Sequence, residues 1–131
     1  MALPLAAALA VFLSGATPAN ADPAATALQQ QAVPLIAPAA LKDLMASGKK
    51  FALVDVREPG EFSAGHIDGA TLMPLGTLQT EYAKLPKDVT LVVYCRSGKR
   101  SAKAVQFLMA HGYGRAVSLD GGFTAWSTPA P

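Results

Sequence analysis

The sequence predicts an α/β domain built on a parallel sheet. Three observations carry that prediction. From Val33 onward, short apolar runs alternate with helix-patterned segments, the order that crossover connections between parallel strands impose. Two of those runs, Phe51–Val56 and Val89–Tyr94, are almost continuously apolar, as strands covered on both faces are. The chain has 131 residues, 51% hydrophobic and 15% charged, which suits one domain and leaves no room for two.

Each element has its own signal. Val33–Ile36 is a short first strand whose Pro34 suits a sheet edge. Pro38 stands where a helix accepts its first residue, and Ala39 to Ser47 continue until Gly48 stops the helix. Phe51–Val56 is a strand with Asp55 near its carboxyl end. Pro59 opens a short helix bearing Glu61 and Phe62, and Gly65, Asp68 and Gly69 make the next connection. Ala70–Met73 is a third strand, and Leu75–Leu85 is a weaker helix ended by Pro86. Val89–Tyr94, the most hydrophobic strand, is expected at the sheet centre. A loop, Cys95–Arg100, leads into a helix over Ser101–His111, with Ala102, Val105, Leu108 and Met109 on one face and Gly112 at its end. Ala116–Leu119 is the last strand. Gly121-Gly122 then opens a turn or short helix carrying Phe123 and Trp126, which are expected to close the core.

Residues 1–21 have the pattern of a signal peptide. Leu3 to Leu13 is almost wholly apolar but too short to span a bilayer, and Ala19-Asn20-Ala21 fits a small-x-small cleavage site. No Lys or Arg precedes the apolar run. The expectation is export to the periplasm, a flexible leader over 22–32, a folded domain over 33–127, a loose tail over 128–131 and no membrane association once the signal is removed.

The functional signal is Cys95, the sole cysteine. A strand ending in a thiol, then Arg96-Ser97-Gly98-Lys99-Arg100, then a helix start, surrounds sulfur with unpaired amides, a helix amino terminus and three cations. Such settings lower a cysteine pKa from near 8.5 to roughly 3.5–7.5. Between Val89 and Leu119 there is no Asp or Glu, but Arg96, Lys99, Arg100, Lys103 and Arg115 are present, a distribution suited to a small anion. No Lys/Arg stripe interleaved with aromatics supports nucleic-acid binding. The candidate site is therefore Cys95 as nucleophile, with Arg96, Ser97, Gly98, Lys99 and Arg100 as the anion cradle. Asp55 and Arg57, closing another strand, are placed on the same rim as a supporting ion pair. Glu58 and Glu61 are expected to face solvent or pair with Arg57. His66 and His111 are assigned structural roles, His111 at a helix end. Two histidines and one cysteine without ligand spacing give no metal site, and no cofactor is expected.

Three blocks make the chain resemble the single-domain rhodaneses, a sulfurtransferase family, over nearly all of Val33 to Trp126. They are Asp55-Val56-Arg57-Glu58 with Glu61-Phe62 and Gly65-His66-Ile67-Asp68-Gly69-Ala70; Tyr94 to Ser101; and Asp120-Gly121-Gly122-Phe123 with Trp126. The resemblance implies a three-layer α/β/α fold with a five-stranded parallel sheet, and a Cys95 persulfide formed from thiosulfate or a similar donor and passed to cyanide or a thiol. A non-turnover persulfide carrier or redox sensor, acting with a protein partner such as a thioredoxin-like one, is the alternative. Phosphatases on this scaffold place five residues between cysteine and arginine. Here four separate Cys95 from Arg100, and the tighter ring suits a sulfur atom better than a phosphate.

Overall fold

The computed structural model describes residues 33–128. The expected signal peptide and leader and the end of the tail lie outside the described residues. In chain order the elements are β1 (Leu35–Ile36), α1 (Pro38–Ser47), β2 (Phe51–Asp55), α2 (Pro59–Ala64), β3 (Thr71–Leu72), α3 (Leu75–Glu81), β4 (Thr90–Tyr94), α4 (Lys99–Ala110), β5 (Ala116–Leu119) and α5 (Gly122–Ser127). The five strands form one parallel sheet in the order β1-β5-β4-β2-β3, with β4 at its centre. Among the described residues no helix is long and apolar enough to cross a membrane.

Strand alternation sends side chains to two separate cores. Val54, Val56, Leu91, Val93 and Cys95 pack with Leu78, Ala104, Val105 and Leu108 from α3 and α4. Leu53, Val92 and Tyr94 pack on the other face with Leu41 from α1, Phe123 and Trp126. That alternation has a direct consequence for the site. Cys95 continues the row Leu91, Val93 toward α4, whereas Tyr94, registered beside Asp55, turns to the opposite face.

Several boundaries differ from expectation. β1 pairs with β5 only over Leu35–Ile36, because at the edge Pro34 contributes its carbonyl, to Ser118 N, and has no N–H to give. β3 is confined to Thr71–Leu72. α3 tightens into a 3₁₀ turn at Tyr82–Lys84 before Pro86. α4 begins at Lys99, two residues early, because Gly98 adopts a left-handed φ of 113° that turns the chain directly into the helix. Its buried row is Ser101, Ala104, Val105 and Leu108, so the face is rotated from the expected one and Met109 is 44% exposed.

Candidate active site

Cys95 sits one residue past β4 with its sulfur under the amino terminus of α4. The Gly98 amide donates to Sγ at 3.0 Å, and the Ser101 hydroxyl lies 3.6 Å away on the first turn of the helix. Ser101 Oγ also lies 2.7 Å from Ser118 Oγ and 3.2 Å from the Gly98 carbonyl. With Ser118 donating to Ser101, the Ser101 proton is free to point at sulfur or at that carbonyl. Two opposed effects act on the thiol. Burial, at 1% exposure, raises its pKa, while the Ser101 hydroxyl and the amides of Ser101, Gly98 and Ser97 lower it. The stabilising donors win, and the pKa falls below the ordinary cysteine value.

Ser101 is the functional residue that sequence reasoning missed. Its signal was present: with Ala104, Val105 and Leu108 it completes an i, i+3, i+4, i+7 row, and a hydroxyl in such a row must find a partner inside.

The cations occupy three different environments. Arg96 is exposed and borders a cavity of about 300 Å³ shared with Arg57, Glu61, Phe123 and Thr124. Ser97, Gly98 and Lys99 border a second cavity, of about 560 Å³, together with Leu35, Lys103 and Ser118. Arg100 is the partner that corrects the expectation for Glu61. Its two terminal nitrogens grip Glu61, NH1 to Oε1 at 2.8 Å and NH2 to Oε2 at 3.0 Å. Glu61 therefore neither faces solvent freely nor pairs with Arg57. The absence of acid near the loop in sequence does not hold in space, because α2 delivers this carboxylate from 39 residues upstream. The Arg100 bond, foremost, and the Glu58 amide hold the Glu61 carboxyl down to about 2. Glu58 caps α2 in a reciprocal capping box with Glu61, its amide donating to Glu61 Oε1 at 3.0 Å.

Asp55 and Arg57 form a buried pair on the Tyr94 face of the sheet, with Arg57 reaching the wall of the smaller cavity. Arg57 donates to Asp55 from Nη2 at 2.7 Å, from Nε to both carboxylate oxygens at 2.9 and 3.1 Å, and from its backbone amide at 2.9 Å, and Nη2 also donates to the Gly65 carbonyl at 2.7 Å. Its guanidinium lies 4.5 Å over the Phe123 ring and 5.5 Å from Tyr94. The Tyr94 hydroxyl, whose pKa burial pushes upward, accepts the Ile67 amide at 3.1 Å. The start of α5, which carries Phe123, is tied to the thiol loop through backbone: the amides of Phe123 and Thr124 donate to the carbonyls of Cys95 at 2.8 Å and Arg96 at 3.0 Å. A Cβ at Gly122 would lie 2.5 Å from the Arg96 carbonyl oxygen and 2.7 Å from that of Cys95, so the close approach of α5 to the loop requires glycine there.

The histidines lie away from the sulfur. His66 donates from Nδ1 to Phe62 O at 2.9 Å and stacks on the Phe62 ring, while His111 donates to Phe107 O at 2.8 Å. Among the described residues no group of three or more His, Cys, Asp or Glu is placed to hold a metal.

The geometry has a counterpart among known families. Residues 37–129 match the model of the Rhodanese-like domain. The chain belongs to that family. Over 94 residues it is 46% identical to a probable adenylyltransferase/sulfurtransferase of Mycobacterium tuberculosis, covering 70% of this chain but only 24% of that longer protein. A protein of Allochromatium vinosum named sulfurtransferase is 40% identical over 87 residues, covering 66% of this chain and 81% of the relative. The solved structure of the human single-domain sulfurtransferase superposes with a TM-score of 0.62 at 30% identity, covering 71% of this chain and 94% of the other. The rhodanese-like fold of this chain, a five-stranded parallel sheet with helices on both faces, matches that solved structure.

Proposed function

We propose that this rhodanese-like domain is a sulfurtransferase that carries sulfane sulfur as a Cys95 persulfide. One observation supports this reading above the others: a thiol ringed by amide and hydroxyl donors, with the Gly98 N–H at 3.0 Å, at the mouth of a helix. The Cys95 thiolate attacks the outer sulfur of thiosulfate. A new S–S bond forms, the S–S bond of the donor breaks, and its electron pair leaves with sulfite. Sulfite is a stable anion, so no general acid is required. The charge on the outer persulfide sulfur falls among the same amides. Cyanide or a thiol then attacks that outer sulfur, and the thiolate is regenerated, completing a ping-pong cycle. Arg96, Lys99 and Arg100 supply the positive field for the donor. Export to the periplasm is proposed on residues 1–21 alone.

A second reading is a persulfide carrier that gives up its sulfur to a thioredoxin-like or other protein partner instead of turning over on small molecules, since the same donors would hold its Cys95 persulfide. Thiocyanate formation from thiosulfate and cyanide separates the two. The sulfurtransferase reading expects turnover that Cys95→Ala abolishes. A folded wild-type protein that gains one sulfur by intact mass but makes no thiocyanate supports the carrier, and a protein that gains no sulfur contradicts both.

A further inference from the structure

Glu61 occupies a position with consequences for the donor. Among the described residues Arg96 and Lys99 have no carboxylate partner, whereas both terminal nitrogens of Arg100 are turned onto Glu61. Bidentate arginine–carboxylate pairing is the same interaction that an oxyanion donor would make with that guanidinium. The pair is only partly buried, with 34% of the Arg100 side chain and 29% of the Glu61 side chain exposed, so solvent and small ions reach it. Glu61 also borders the cavity of about 300 Å³ at which Arg96 is exposed. The carboxylate is anchored from behind by the Glu58 amide, so it cannot swing away without opening the cap of α2.

We propose that Glu61 is a specificity-determining residue: it competes with the incoming anion for Arg100, and so weakens the binding of doubly charged oxyanions relative to singly charged ones. The inference rests on the sulfurtransferase reading for its biological meaning, since thiosulfate and the departing sulfite are both dianions. A donor site with an internal competitor binds thiosulfate less tightly and releases sulfite more readily.

Glu61→Gln removes the charge and keeps an oxygen for the Glu58 amide, and glutamine is the other residue a capping box accepts. The probe is sulfate, an unreactive dianion, titrated calorimetrically into the full chain, with nitrate as the singly charged control. Glu61→Gln is expected to bind sulfate about threefold more tightly, with a smaller gain for nitrate. That gain should vanish when Arg100→Ala is added. In turnover, the KM for thiosulfate should fall by a similar factor while kcat changes less. Unchanged or weaker sulfate binding in Glu61→Gln, or a gain that survives without Arg100, would overturn the proposal and leave Glu61 as a residue that positions the guanidinium. Intact mass after thiosulfate treatment keeps the two questions apart. If neither protein gains sulfur on Cys95, the sulfurtransferase reading fails, and the sulfate titration still decides the role of Glu61.

Discussion

Two arginine–carboxylate pairs stand near the carboxyl ends of the central strands, and they differ in what surrounds them. Asp55–Arg57 is buried: its side chains are 0% and 5% exposed, Phe123 and Tyr94 flank the guanidinium, and Nη2 also donates to the Gly65 carbonyl. Glu61–Arg100 has comparable geometry but about a third of its surface is open. A buried pair cannot lose one member without stranding the other in a medium that solvates charge poorly. A half-open pair can exchange partners with an anion from solution. The first pair fixes the frame, and the second adjusts the site.

The sharpest way to break this contrast is Arg57→Ala. It leaves Asp55 buried without its cation, and the expected loss of stability is about 3–5 kcal/mol, measured by chemical denaturation. A loss below about 1 kcal/mol would place this pair with the open one. Next in size is Gly122→Ala, at the seam between the two regions. The added carbon meets the carbonyls of Arg96 and Cys95, and φ is +62°. It is expected to cost about 2 kcal/mol and to reduce sulfur uptake by Cys95, whereas an unaltered rate would show that α5 and the loop are not rigidly joined. Arg100→Ala should change stability by less than about 1 kcal/mol, because an exposed pair contributes little, yet raise the KM for thiosulfate. Equal kinetics in the variant would remove Arg100 from the donor site.

The smallest expected effect is a pH dependence. Glu61 titrates near 2 in the folded protein against an ordinary value of 4.5. Its folded pKa is depressed, so the stabilisation it confers is present above about 4.5 and is lost as pH falls through about 2. Subtracting the Glu61→Gln curve from the wild-type curve should isolate this slope. Parallel curves across that window would mean that the pair contributes no measurable stability.

Much of this was legible along the chain, for reasons that follow from particular residues. The apolar runs at Phe51–Val56 and Val89–Tyr94 gave the two central strands, because only strands covered on both faces tolerate such composition. The thiol loop was legible because its parts are contiguous in sequence. What escaped was set by distance and by backbone turn. The Glu61–Arg100 pair joins residues 39 apart, and nothing local to either announces the other. The earlier start of α4 follows from the left-handed turn at Gly98, which places Ser101 rather than Met109 on the buried row. The row Ser101, Ala104, Val105, Leu108 was there to be read, but the partner that lets a hydroxyl sit in it, Ser118, comes from a strand 17 residues downstream.

Sulfur transfer through Cys95 requires its thiol to ionise inside the ring of donors. The direct measurement is the pH dependence of thiolate ultraviolet absorbance in the folded protein, with Cys95→Ser as the blank and Ser101→Ala alongside. The midpoint is expected below that of an ordinary cysteine, about 8.5, and should move upward when the Ser101 hydroxyl is removed. A wild-type midpoint at or above the ordinary value, unmoved by Ser101→Ala, would show that burial prevails over the amides and would contradict the account.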